Sequence, residues 1–190
     1  MDKILGDLRI TLAIGFLLAI GLMFAPYYLW MTDLKSGLLG AFQWLHVFFA
    51  ITWIGLLYYF NFVQIPTMPT IPAELKPGVS KYIAPKALFF FRWGAAFTVL
   101  TGLILAHLYG ELHEALLFRA PAQLIGVGMW LALIMAFNVW FIIWPNQKRA
   151  LGLVEADADS KAKSARIAML TSRINTILSI PMLLAMTAAR

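Results

Sequence analysis

No cysteine occurs in the 190-residue chain, and charge is scarce, with 13% of residues Asp, Glu, Lys or Arg. Without thiols there are no disulfides, no thiolate metal sites and no c-type haem attachment. A soluble domain carries roughly 25% charge. A chain this poor in charge, 62% apolar and with a mean hydropathy of +0.80, would precipitate in water. No internal repeat or low-complexity tract divides it, so it reads as one domain, 1–190. There is also no solvated basic segment, which excludes nucleic-acid binding despite a net charge of +6.

What the sequence does have is membrane-length apolar blocks. Residues 10–30, 41–66 and 120–146 are uncharged, 87–110 is interrupted only by Arg92, and 174–189 is apolar. A helix needs about 20 apolar residues to cross a bilayer core of about 30 Å, and in lipid the backbone must satisfy its own hydrogen bonds. The predicted fold is therefore all-α, a polytopic membrane helix bundle with about five spans, near 10–30, 42–65, 87–109, 121–144 and 168–189. The first apolar run is too long for a secretory signal and lacks a small-residue cleavage site, so it reads as a retained helix. The proline-rich stretch 66–86 is expected to be irregular, and Pro181 is expected to kink the last helix. Acidic residues after Val154 suit a helix start that carries the last span out of the membrane.

Lysine and arginine set the orientation. The N-terminus and the loops 66–86 and 145–173 hold eleven, whereas 31–40 and 111–119 hold two, Lys35 and Arg119. The expected topology is N-terminus in and C-terminus out, and the net charge is a topology signal.

Against this background His46, in FQWLHVFFAITWIGLLYYFNFVQI, is out of character, because an ionisable group inside a membrane is a functional hypothesis by default. It falls near the outer face at the start of the second span. Ala50, Trp53, Leu57, Asn61 and Gln64 follow it at helical spacing, a small, aromatic and amide stripe unlike a lipid-facing one. His107, near the end of the third span, lies at similar depth, and two such imidazoles suit a six-coordinate haem b or a metal. A histidine near a helix end also serves simply to face headgroups. Arg92 opens the third span about 22 Å from His107 along the helix. It either snorkels to the inner headgroups or pairs with an anionic group or with Asn61 and Gln64. Arg173, Asn175 and Ser179 invite the same comparison. Asn138 is expected to bond between helices, and Gly102 with Thr98 and Thr101 to mark close helix packing.

The segments LHVFFAITWIGLLYYFNFVQIPTM, FFFRWGAAFTVLTGLIL, FNVWFIIWPNQKR and SRINTILSIPMLLAM, in that order, resemble the membrane domain of PuuD-type bacterial urate oxidases, from about residue 40 to the end. The HVxxAxxWxG pattern is more loosely similar to the CopD copper-resistance and HemJ-type membrane proteins. The resemblance implies a bacterial inner-membrane protein and makes His46 the natural haem or metal candidate. PuuD-type proteins continue into a c-type cytochrome domain with a CxxCH motif. This chain has none, so electrons are expected to pass to a separate protein, a periplasmic cytochrome c or a membrane partner complex. The leading expectation is a cytochrome b-like electron-transfer protein with His46, His107, Trp53 and Arg92 around haem b. The alternatives are a non-catalytic subunit of a respiratory or photosynthetic complex, a membrane component of urate or purine oxidation with Arg92 or Arg173 steering an anionic substrate, and copper at His46 and His107. Whether the chain is an enzyme stays open.

Overall fold

The computed structural model describes residues 7–23 and 33–189, which are largely helical with no strand among them. In chain order they form α1 (Leu8–Met23), the helical run α2 (Leu34–Thr70), α3 (Lys76–Tyr109), the short α4 (Leu112–Leu116), α5 (Gln123–Ala150) and α6 (Ala158–Ala188). By length and composition α2, α3, α5 and α6 can each cross a membrane. The protein is thus a multi-pass helical bundle whose outward faces suit lipid contact. Of the first predicted span, 24–30 lies outside the described residues, and the remainder forms the apolar α1.

The stretch 66–86 is less irregular than its prolines suggest. Helix α2 runs on to Thr70 and α3 begins at Lys76. Proline lacks an N–H and its ring crowds the carbonyl four residues back. The chain relieves this by widening into a π-turn just before the proline. Tyr59–Gln64 precedes Pro66, Val79–Ile83 precedes Pro85, and Asn138–Ile143 precedes Pro145. In each case the last N–H before the proline reaches back five residues: Ile65 to Phe60, Ala84 to Val79, Trp144 to Val139. Pro181 sits inside α6, which continues helical to Ala188.

Small residues set the helix spacing. Antiparallel α2 and α3 approach so closely at Gly94 that an added Cβ would lie 3.2 Å from the Trp53 backbone nitrogen. Two turns on, a Cβ at Gly102 would lie 2.9 Å from His46 Cε1. With Thr98 between them, these glycines form a small-xxx-small stripe, a common device where lipid supplies no hydrophobic drive between helices. Gly128 of α5 packs on Ala185 and Met186 of α6 in the same way. A Cβ at Gly126 would overlap the Ala115 carbonyl oxygen, which seats α4 on α5. The core between these helices contains Trp53, Leu57, Phe91, Met135 and Val139, all essentially inaccessible. Asp157 caps α6, accepting from the Ser160 N–H at 2.8 Å and from its hydroxyl at 2.7 Å.

Candidate functional site

A cavity of about 520 Å³ lies where α2, α3, α5 and α6 meet, within the roughly 300–1,000 Å³ range of small-molecule sites. Its walls are mainly aliphatic, and the polar exceptions are few: Gln43, His46, Tyr58, Thr98 and Thr187. Val47, Ile51 and Gly55 on α2 and Leu183 and Thr187 on α6 line it while also being exposed on the outside of the bundle. The cavity therefore has a rim that faces lipid between α2 and α6.

His46 is held by α3. Its Nδ1 lies 3.0 Å from the Thr98 carbonyl oxygen and 3.2 Å from Thr101 Oγ1. A carbonyl can only accept, so Nδ1 carries the proton and donates. In the neutral ring the lone pair is then on Nε2. Thr101 is positioned to accept as well, because its own hydroxyl hydrogen is directed to the Phe97 carbonyl at 2.6 Å. Histidines that ligate metals are commonly oriented in this manner, by a hydrogen bond from one ring nitrogen to a backbone carbonyl. The threonines and Gly102, read from sequence as packing residues, are packing residues that also aim the imidazole.

Trp53 lines the same cavity and is fully buried. His107 does not line it. It is exposed in the last turn of α3, where its carbonyl accepts from the Gly110 N–H at 2.9 Å and the Glu111 N–H closes on Ala106 at 2.9 Å. Gly110, at φ 79°, supplies the left-handed residue of this helix stop. Arg92 is not on the cavity either; its guanidinium carbon lies 3.3 Å from the centroid of the Trp144 ring. The structure thus brings together His46 and Trp53 and leaves His107 and Arg92 elsewhere. The sequence reading missed Met129, Met182 and Met186, three thioethers on the cavity wall. Met182 and Met186 are one helical turn apart on α6, a spacing that marks a shared face.

Deeper in the bundle the polar side chains pair with one another. Asn138 donates to Asn175 Oδ1 at 2.8 Å, and Asn175 donates to the Met135 carbonyl at 3.0 Å. Asn61 donates to Ser172 Oγ at 2.8 Å, and Tyr58 and Ser179 hydroxyls meet at 3.0 Å. The interhelical bond expected of Asn138 is present. Asn61, read as part of the functional stripe, faces α6 instead. Arg173 is exposed beside this clamp.

The family described as urate oxidase N-terminal matches residues 108–190. That stretch runs from the end of α3 through α6, contains the WPNQK and SIPML segments, and supports a urate oxidase N-terminal-like similarity there, without reaching His46. No curated protein and no solved structure matches the chain.

Proposed function

We propose that the protein is a cytochrome b-like membrane protein that holds haem b in the His46 cavity. It would serve electron transfer to a periplasmic cytochrome c or a membrane partner complex in the bacterial inner membrane. The observation that carries this reading is the tie from Nδ1 of His46 to the Thr98 carbonyl, on an imidazole that lines a largely apolar cavity. The residues fit the group on that side: His46 supplies Nε2, Gly102 admits the ring, and aliphatic walls keep water out. Bound haem would supply one-electron chemistry, with its potential set by ligand identity and burial. On the far side the cavity offers thioethers rather than the second histidine expected from the sequence.

The test is the absorption spectrum of the purified protein, oxidised and then reduced. A Soret band that disappears in His46→Ala and survives in His107→Ala supports the reading. A wild-type protein without a Soret band overturns it.

Three methionines on one wall favour a second reading, copper(I), for which thioethers and imidazole are suitable ligands. Elemental analysis of the same sample separates the two. The match to the urate oxidase N-terminal family also supports a PuuD-like place in urate oxidation, with the chain as its membrane component. Urate turnover with added cytochrome c tests that place. The lipid-facing rim of the cavity suits the subunit reading, in which a partner helix closes it.

A further inference from the structure

A second site lies away from the cavity, where α3 meets the end of α5. The Arg92 guanidinium is stacked on Trp144, its carbon 3.3 Å from the ring centroid, and Lys148 Nζ lies 5.7 Å from the same centroid. The Trp140 indole N–H donates to the Arg92 carbonyl at 3.2 Å, which fixes α3 against this part of α5. Two cations therefore share one aromatic ring. Arg92 forms no ion pair with any described residue, and its Nε and Nη1 are buried without an acceptor. The guanidinium is half-buried, and Nη2 is the one of its nitrogens not among the buried unpaired atoms.

The arrangement is costly as it stands. Buried charged donors without acceptors are rare, and each calls for a partner. Two like charges near one ring repel, and the ring itself answers only part of the charge. The surroundings indicate depth. Phe89, Phe90 and Trp93 beside Arg92 are exposed, as in an aromatic belt at a membrane interface. The following Asn146, Gln147 and Arg149 are polar, and the lysine and arginine distribution predicts that this end is cytoplasmic.

We propose that Arg92, Trp144 and Lys148 form a binding site for an oxyanion, a phosphate or carboxylate held by the two cations with the indole as a fixed wall. At the membrane interface that chemistry is supplied either by the headgroup phosphate of an anionic phospholipid or by a soluble anion. The site does not depend on what fills the His46 cavity.

The test uses the full chain in nanodiscs and reads its thermal midpoint. One arm raises the phosphatidylglycerol content of phosphatidylcholine nanodiscs. The other adds inorganic phosphate, and separately urate, to nanodiscs of phosphatidylcholine alone. A saturable rise with phosphatidylglycerol identifies the lipid source, and a rise with phosphate or urate identifies a soluble oxyanion. Either response is expected to vanish in Arg92→Gln, to persist in Arg92→Lys, and to weaken about fivefold in Lys148→Gln. If Arg92→Gln does not fold, the Arg92→Lys and Lys148→Gln pair carries the test. No response in the wild type to any probe overturns the proposal, as does an undiminished response in Lys148→Gln or in a folded Arg92→Gln.

Discussion

The His46 cavity and the amide clamp place polar groups at different depths of one bundle and treat them in opposite ways. In the clamp, Asn138, Asn175, Asn61 and Ser172 bond side chain to side chain across helices, and Asn175 is wholly inaccessible. At the cavity, His46 hydrogen-bonds to a neighbouring helix and lines about 520 Å³ of space. Polarity within a membrane segment therefore does not by itself mark a functional residue. What separates the two is whether the polar group is packed between helices or borders a volume that something else can enter.

The largest effect is expected from breaking the clamp. Asn175→Ala removes the acceptor of Asn138 and the donor to the Met135 carbonyl and leaves both buried. Leaving buried partners unsatisfied costs about 1–3 kcal/mol. Unfolding in detergent should show that loss, while the Soret band proposed for the His46 cavity stays unchanged per folded molecule. Adding Asn138→Ala should cost less than the sum of the two single changes, because each removes the same bond. An additive double variant would mean that the two amides do not act as a unit.

Gly102→Ala probes the other region. The new Cβ would lie 2.9 Å from His46 Cε1 and 3.3 Å from Nδ1, so the ring must move away from the Thr98 carbonyl. Second-sphere disturbances of this kind weaken ligand binding by about 10–100-fold. The expected result is a loss of affinity for the proposed haem near the lower end of that range, with little change in unfolding. Gly55, on the cavity rim with nothing within 4 Å of a Cβ, provides the matched control. Gly55→Ala should leave both properties intact. Equal affinity losses at the two glycines would show that the effect is not specific to His46.

Helical periodicity and hydropathy made the spans legible, because length and apolar content follow directly from bilayer thickness. They also made the buried stripe legible, since Trp53 and Leu57 are fully inaccessible. The pairing of His46 with His107 rested on depth alone. His107 lies five residues beyond Gly102, about 140° around the helix axis, so equal depth does not put both rings on one face. The true neighbours of His46 were visible in the Gly94, Thr98, Gly102 spacing but could not be assigned until the α2–α3 register was known. The 66–86 segment is more helical than its prolines suggest because Pro66 and Pro85 each follow a π-turn that absorbs the steric conflict, while residues 71–75 form the non-helical break between α2 and α3. The methionines went unnoticed because, one at a time, they look like core filler.

Thr101→Val tests how far backbone alone orients the imidazole. Nδ1 has two acceptors, the Thr98 carbonyl at 3.0 Å and Thr101 Oγ1 at 3.2 Å, and the substitution removes only the longer contact. The expected cost is about 1 kcal/mol or less, read as a small fall in cofactor affinity. A loss as large as that of Gly102→Ala would make the hydroxyl, rather than the carbonyl, the positioning group.

The smallest effect is expected at a place that belongs to neither region. The Ser160 backbone N–H, and then its hydroxyl, hold the Asp157 carboxyl below its ordinary value. A carboxylate whose folded pKa is depressed contributes its stability above the unfolded pKa and loses it as pH falls through the folded one. Acidification below about pH 4 should therefore loosen only the first turn of α6, as hydrogen exchange at Ser160 and Lys161 would show. Asp157→Ala should produce the same loosening at neutral pH and remove its acid dependence. Asn175 lies more than four helical turns further along α6, so the clamp should be undisturbed in both cases. If the clamp or the cavity spectrum follows the Asp157 transition, α6 transmits its capping state along its length, and the two regions are not independent.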